Sequence, residues 1–549
     1  MSTRILVWRN AAVAVVAGCL VLLVLLGTWV VIFNPPVPDD PSPGLVTPSR
    51  RTTYITEPLR ADGSVDYLAA LNQRCSQGVT PDNNASVLIW QALGPGPHTE
   101  ATRSAFFKAI GMPVPAENGD YFIPTAQFAR QRLDAEGGGD VSIEEQARQA
   151  EEIDDQLDAA TTRAWSEDEF PQIAAWLQLN EKPLLLLIEA TRRSRRFDPL
   201  VAFHDVPGQL LLVDLTMATE SRTIARALVA RAMLRLKRGQ IDEAWQDLLA
   251  AHRLAHLVAQ GDMFVEWLVG NTIKRQAFAA QRAILQDSEP SPKQIESMRE
   301  DLGKLPQFPG VVDKLNIGDR LTCLDSLYSV AREMSGRTTF GTQTDPILQK
   351  VLKSFGRSRV DWELVFARIN SWWDREIAAC RLPVRPARKA ALDELDREFE
   401  ERTRHANDLK QSVTTAFDSS RAVSERMADV LIALFAPAAL AACDVEVRGK
   451  MELDLTKVAF ALAHFRAEHG AYPEKLELLV PKYITTVPED VFSGAPLHYL
   501  INDGGYVLLS VGPDGKRDET PEGGTEDAED LGDDLIVRMR GVVPPNGQQ

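Results

Sequence analysis

MELDLTKVAFALAHFRAEHGAYPEKLELLVPKYITTVPEDVFSGAPLHYL, residues 451–500, is the stretch whose reading decides the fold. Met451, Leu455, Val458, Leu462 and Phe465 follow one another at spacings of four, three, four and three, which places them on one stripe of an α-helix. Gly470 supplies the residue type that adopts the left-handed conformation ending such a helix. Beyond it, LELLVPKYI predicts a short helical turn closed by Pro481, and LHYL and YVLLSV flank Asn502-Asp503-Gly504-Gly505, a turn between two strands. LIVRMRG alternates Leu535, Val537 and Met539 with Ile536, Arg538 and Arg540, as a half-buried strand does. The helix is therefore expected to lay its stripe across a small sheet.

Outward from this module, the N-terminus carries a different signal. Residues 11–33 (AAVAVVAGCLVLLVLLGTWVVIF) are almost unbroken apolar sequence, and at ~1.5 Å per residue such a run crosses a ~30 Å hydrocarbon layer. The run exceeds a signal-peptide core and ends in Asn34-Pro35-Pro36 rather than a small-residue cleavage pattern. Arg4 and Arg9 precede it and Asp39 and Asp40 follow it. The positive-inside tendency therefore keeps residues 1–10 cytoplasmic and sends the rest of the chain out, anchored by a single pass. Residues 34–52 mix proline with polar residues and are expected to form an extended spacer.

A chain of 549 residues needs more than one core. Its net charge of −17, with no Lys/Arg cluster seen to offset it, argues against nucleic-acid and anionic-membrane partners. Of five cysteines, Cys19 falls in the apolar run, leaving Cys75, Cys323, Cys380 and Cys443. These allow three disulfide pairings or none, as buried thiols. Their wide spacing excludes a zinc knuckle.

Residues 53–440 read as one or two all-α domains, so the fold class expected is mainly α with a small C-terminal α+β module. In KRGQIDEAWQDLLAA, Gly239, Ala244 and Ala251 resemble the turn and second helix of a tetratricopeptide repeat. No second copy follows, so an isolated helix pair is expected in place of a repeat array. SIEEQARQAEEIDDQLDAA and ALDELDREFEERTRHANDLK read as solvated helix faces or connectors. Trp372 and Trp373 suit an exposed docking patch or, as tryptophans more often do, a core.

The C-terminal residues 441–549 resemble the head of a type II secretion major pseudopilin. The likeness rests on Gly470, Tyr472 and Pro473; Val480, Pro481 and Tyr483; Pro488 and Asp490; Phe492, Gly494, Pro496 and Tyr499; and Val511-Gly512-Pro513-Asp514-Gly515. It implies a calcium-binding loop whose ligands are the Val511 carbonyl and the side chains of Asp514, Asp533 and Asp534. Between residues 518 and 534, Asp518, Glu519, Glu522, Glu526, Asp527, Glu529, Asp530, Asp533 and Asp534 stand without one Lys or Arg. Such a set is solvated or shares a hard cation such as Ca2+, which takes six to eight oxygens at roughly 2.3–2.6 Å. The chain departs from the pseudopilin pattern at its N-terminus, MSTRILVWRNAAVAVV, which has neither the leader site nor the early Glu of the apolar helix. A head borrowed by an anchored helical protein fits better than a pilus subunit.

Motifs for phosphate loops, nucleophile elbows, zinc proteases and dinucleotides are missing from the sequence. His252 and His256 share a helix face at i, i+4 but lack an evident third ligand. His464 and His469 lie near a helix C-terminus, where a cation complements the dipole, and His204-Asp205 is turn chemistry. The expectation is a non-enzymatic, inner-membrane protein facing the periplasm, with protein partners, no evident small-molecule substrate and a role linked to secretion or pilus-like assembly. The alternative is a tetratricopeptide-like helical adaptor without one.

Overall fold

The computed structural model describes residues 45–96, 100–135, 142–201, 210–334, 360–406, 420–435, 439–502, 504–518 and 533–540. The expected membrane segment, residues 11–33, lies outside them, as do Cys19 and His204-Asp205. No described helix is long and apolar enough to cross a membrane. The described residues are mainly helical and include one three-stranded sheet. It divides into two compact units, residues 1–77, 199–215 and 312–440, and residues 78–198, 216–311 and 441–549.

In the first unit, helices Trp362–Cys380 and Ser420–Phe435 pack together; Phe366, Ile369 and Trp373 are buried on the one, Met427 and Leu431 on the other. Trp372 and Trp373 are both buried, so the docking-patch alternative fails. Arg320 is fully buried after a π-helical turn at Leu315–Asp319. Its guanidinium donates to Asn316 Oδ1 at 3.1 Å, to the Asn370 carbonyl at 2.9 Å and to Asp374, which offsets the cost of hiding the charge.

The spacer expected over residues 34–52 ends in folded chain, not extended chain. Val46 and Thr52 are buried, and Asn370 Nδ2 donates to the carbonyls of Arg50 and Arg51 at 2.9 and 3.2 Å. The reason is local: the Thr52 hydroxyl donates to the Thr47 carbonyl at 2.7 Å, closing a turn that composition alone does not reveal.

The second unit is organised by five helices, α1 (Thr216–Lys237), α2 (Ile241–Val258), α3 (Phe264–Asp287), α4 (Pro292–Gly303) and α5 (Ala439–His469). Gly239, at φ +76°, makes the left-handed turn between α1 and α2, and Ala244 and Ala251 are fully buried on α2. The pair is not isolated, because α3 packs on both helices. At Gly270 a Cβ would stand 2.6 Å from the Ala255 carbonyl, so only glycine permits this α3–α2 approach. Upstream, the acidic run forms helix Ile143–Ala160, capped by Ser142 and anchored by buried Ile153 and Leu157. It is a solvated helix face, as its charge pattern suggests.

Strands β1 (His498–Asn502), β2 (Gly505–Ser510) and β3 (Leu535–Met539) form an antiparallel sheet in that order. β2 is central: Leu508 pairs with Tyr499 on one side and Val537 on the other. Met451, Leu455, Val458 and Leu462 of α5 share one core with Tyr506, Leu508, Leu535, Val537 and Met539. At ~1.5–3 kcal/mol for each large apolar side chain fully buried, that stripe is the main force holding helix to sheet. Phe465 is only partly buried.

The residues 441–549 expected as a module of their own instead share a unit with 78–198 and 216–311. α5 is apolar on a second face: Phe460 is buried against Trp245 with ring centroids 5.5 Å apart. Arg282 Nη1 donates to Thr456 Oγ1 at 2.9 Å, and Arg275 Nε to Glu452 Oε1 at 2.8 Å. A stripe search finds one apolar face and passes over contacts of this mixed kind.

Candidate functional site

The acidic site forms where β2 leaves the sheet and β3 enters it. Asp490, only 1 % exposed, sets the geometry: Oδ1 accepts the Phe492 amide at 2.9 Å and Oδ2 the Val511 amide at 2.7 Å. One carboxylate thus ties the loop before β1 to the end of β2. The Val511 carbonyl, a candidate ligand, accepts from the Ser510 hydroxyl at 3.2 Å.

From there the chain is laced to the start of β3 through side-chain carboxylates. Asp533 Oδ2 accepts the Asp514 amide at 2.9 Å, and Asp518 Oδ2 accepts the Asp533 amide at 3.2 Å. Asp534 accepts the amides of Gly512 at 3.3 Å and Asp518 at 3.1 Å, one on each oxygen. Gly512 has no room for a side chain, because a Cβ there would overlap the Asp533 carbonyl. Carboxylates accepting backbone N–H groups recur in turns; here they hold two loops in register.

One carboxylate oxygen each from Asp514, Asp518 and Asp533 lies within 4.8 Å of the others. Of the residues expected as ligands, Asp514 and Asp533 come together; Asp534 is outside the trio, its oxygens turned to amides. Asp518 joins instead. It stood first in the acidic run, but spacing alone cannot say which of nine acids a loop turns inward. Glu519, Glu522, Glu526, Asp527, Glu529 and Asp530 lie outside the described residues.

Burial raises the Asp533 carboxyl above the usual range; the Asp514 amide opposes this, while the charges of Asp514 and Asp518 add to it. Burial likewise raises Asp534. The run contains no cation, yet α5 supplies one: Arg448 feels both Asp533 and Asp534, although burial, the larger influence, lowers its guanidinium. A heptad reading of α5 passes over Arg448, because its relation to the loop is tertiary.

The histidines behave differently from expectation in one place. His464 is buried, with Nδ1 accepting from Arg299 Nη1 at 2.8 Å, and burial and Arg299 lower its pKa. It is therefore a poor partner for the helix dipole. His469, half exposed, lies 3.2 Å from the Tyr483 hydroxyl. His252 is buried, 3.0 Å from Gln281 Oε1 and 4.3 Å from the Phe278 ring centroid, a core position rather than a ligand position. Among the described residues, His252 and His256 belong to no cluster of three metal-ligating side chains.

Cys75, Cys323, Cys380 and Cys443 are thiols, the last three buried. Burial pushes the Cys323 thiol up to about 12, leaving it protonated and unreactive. The sequence reading also passed over a basic cluster. Arg192, Arg193, Arg195 and Arg196 stand within five residues, and Arg196 is buried between Asp198 and Glu266 at 2.8 Å each. The run itself was the available signal.

Compared with protein-family models, curated proteins and solved structures, the chain matches none of them.

Proposed function

We propose that the chain is a single-pass, membrane-anchored protein acting outside the cytoplasm in protein–protein interaction, its C-terminal module a pseudopilin-like head serving secretion or pilus-like assembly. What supports this reading is the order of its parts: a long helix ended by Gly470, a loop pinned by Asp490, a hairpin, and a last strand beside convergent Asp514, Asp518 and Asp533. The apolar run at residues 11–33 supports the anchor.

The donor set suits calcium. Oxygens within 4.8 Å of one another fit around an ion that takes oxygens at roughly 2.3–2.6 Å, and all donors are hard carboxylates. Bound there, Ca2+ would supply positive charge beside Asp533, whose anionic form burial disfavours. Asp514, Asp518 and Asp533 would hold it. Asp490 and Asp534 would keep the two loops in register without touching it.

The full-length chain in detergent tests this. Calcium should raise the melting temperature above that in chelator, more at pH 7.5 than at pH 5, because Asp533, whose pKa is raised, binds a proton in the ion's place at low pH. The sign follows from the shifts of Asp533 and Asp534: without metal, stability falls as pH rises from the ordinary Asp value of roughly 4 through their raised values. Identical melting with calcium and chelator at both pH values would end the metal proposal.

The adaptor reading is supported by α1, α2 and α3, consecutive helices that pack on one another. The two readings are separated by crosslinking the full chain to its partners. Loss on Leu500→Lys, at an exposed position of edge strand β1, favours the head. Loss on Leu185→Lys, exposed on helix Glu181–Ala190, favours the helices.

A further inference from the structure

A pocket of about 360 Å³ opens in the second unit, and Thr191, Arg192, Arg193, Ser194, Arg253 and His256 line it. Its chemistry runs against the chain's. In a protein of net charge −17, three guanidiniums and an imidazole face one cavity.

The counter-charges nearby are screened by water or engaged by other donors. Glu189 pairs with Arg192 at 2.7 Å, but both are more than half exposed, a pair that water screens. Asp301 attracts Arg253 electrostatically, while its Oδ2 accepts the Trp245 indole N–H at 3.0 Å. Arg253 itself makes no hydrogen bond or ion pair among the described residues. Burial and the neighbouring Arg192 both disfavour its charge.

The frame around these cations is fixed. Arg193 Nη1 donates to the Asn84 carbonyl at 2.8 Å and to the Pro81 carbonyl, which holds that guanidinium in place. The Thr191 hydroxyl donates to the Ile188 carbonyl at 2.8 Å, leaving its oxygen only as an acceptor. Ser194 Oγ makes no hydrogen bond among the described residues and is available as a donor. Gathering like charges in a concavity is unfavourable unless an anion joins them, and planar guanidinium forks match tetrahedral oxyanions.

We propose that this pocket binds a phosphate group, either free or carried by a small phosphomonoester. A phosphate dianion brings two charges and several oxygens to the guanidiniums, where a carboxylate brings one charge and two oxygens. The volume exceeds that of phosphate alone and leaves space for a short organic body. Arg253 and Arg192 are the binding cations, with Ser194 donating; Arg193 holds the pocket's edge.

The test is calorimetric titration of the full-length chain in detergent with inorganic phosphate and, separately, glycerol 3-phosphate, at ionic strength held constant with chloride. Saturable binding of at least one is expected. Tighter binding of glycerol 3-phosphate identifies an ester site, and equal or tighter binding of inorganic phosphate identifies a free-phosphate site. Arg253→Gln should weaken binding by about tenfold or more, and Arg192→Gln, at an exposed position that tolerates change, by several-fold. Arg397→Gln, which removes an exposed pair with Glu394 in the first unit, should leave it unchanged. A circular-dichroism melt checks that each variant is folded, and Arg192→Gln decides the matter if Arg253→Gln is not. The proposal is overturned if neither compound gives saturable heat, if sulfate or chloride titrates as well as phosphate, or if the folded pocket variants bind like the parent.

Discussion

Replacing Asp490 with alanine should release the whole acidic site. Asp490 is 1 % exposed and accepts two backbone amides, from Phe492 at 2.9 Å and from Val511 at 2.7 Å, both buried. A hydrogen bond to a charged group contributes about 1.5–3 kcal/mol, so losing two removes roughly 3–6 kcal/mol. Water entering the space left by the side chain recovers part of that, which leaves ~3 kcal/mol as the working figure. Because the chain has two units, a melt does not yield one global unfolding free energy. Hydrogen exchange followed by mass spectrometry reads the local opening instead: peptides covering residues 488–512 should exchange about a hundredfold faster in Asp490→Ala. Asp490→Asn keeps one acceptor oxygen and should show an intermediate effect. Exchange within threefold of the parent over those peptides would refute the reasoning, since it would mean the two amides are satisfied without Asp490.

Two further outcomes follow from packing and protonation. Gly512→Ala places a methyl against the Asp533 carbonyl and should destabilise the loop by about 1–3 kcal/mol, seen as lost protection at residues 511–518; unchanged protection would show that the loops are not in register. Burial lowers the His252 pKa to about 4, against the Gln281 contact that raises it. The neutral form is therefore the folded form, so its stabilising contribution is complete above pH ~6.5 and lost as pH falls toward 4, by roughly 3 kcal/mol. His252→Gln should flatten that part of the stability–pH curve, and an unaltered slope between pH 6.5 and 4 would count against a buried neutral imidazole.

How far the sequence carries can be followed in α5. Spacing alone identifies Met451, Leu455, Val458 and Leu462 as one buried face and Gly470 as the end, because a 3.6-residue period and a left-handed cap are local properties of the chain. The hairpin around Gly504 and the alternation of Leu535, Val537 and Met539 are legible for the same reason. Phe460 against Trp245, and Thr456 and Glu452 held by arginines of α3, are not, since partners about 170 to 220 positions away leave no periodic trace. Those contacts join residues 441–549 to the helices before them, and the boundary expected ahead of the module dissolves as a result.

The acidic site divides along the same line. Composition determined that residues 518–534 would be anionic, and local turn chemistry that glycine and aspartate would shape residues 511–515. Only the tertiary structure decided that Asp518 rather than Asp534 joins Asp514 and Asp533, because amide groups of the facing loop claim both oxygens of Asp534. It likewise brought Arg253 of α2 beside Arg192 and Arg193, making a cationic cavity from segments some 60 residues apart. A sequence fixes which charges the chain carries and which residues share a helix face or strand. Which charges meet depends on how separate elements pack, and that is settled by burial of apolar faces distributed over the whole unit.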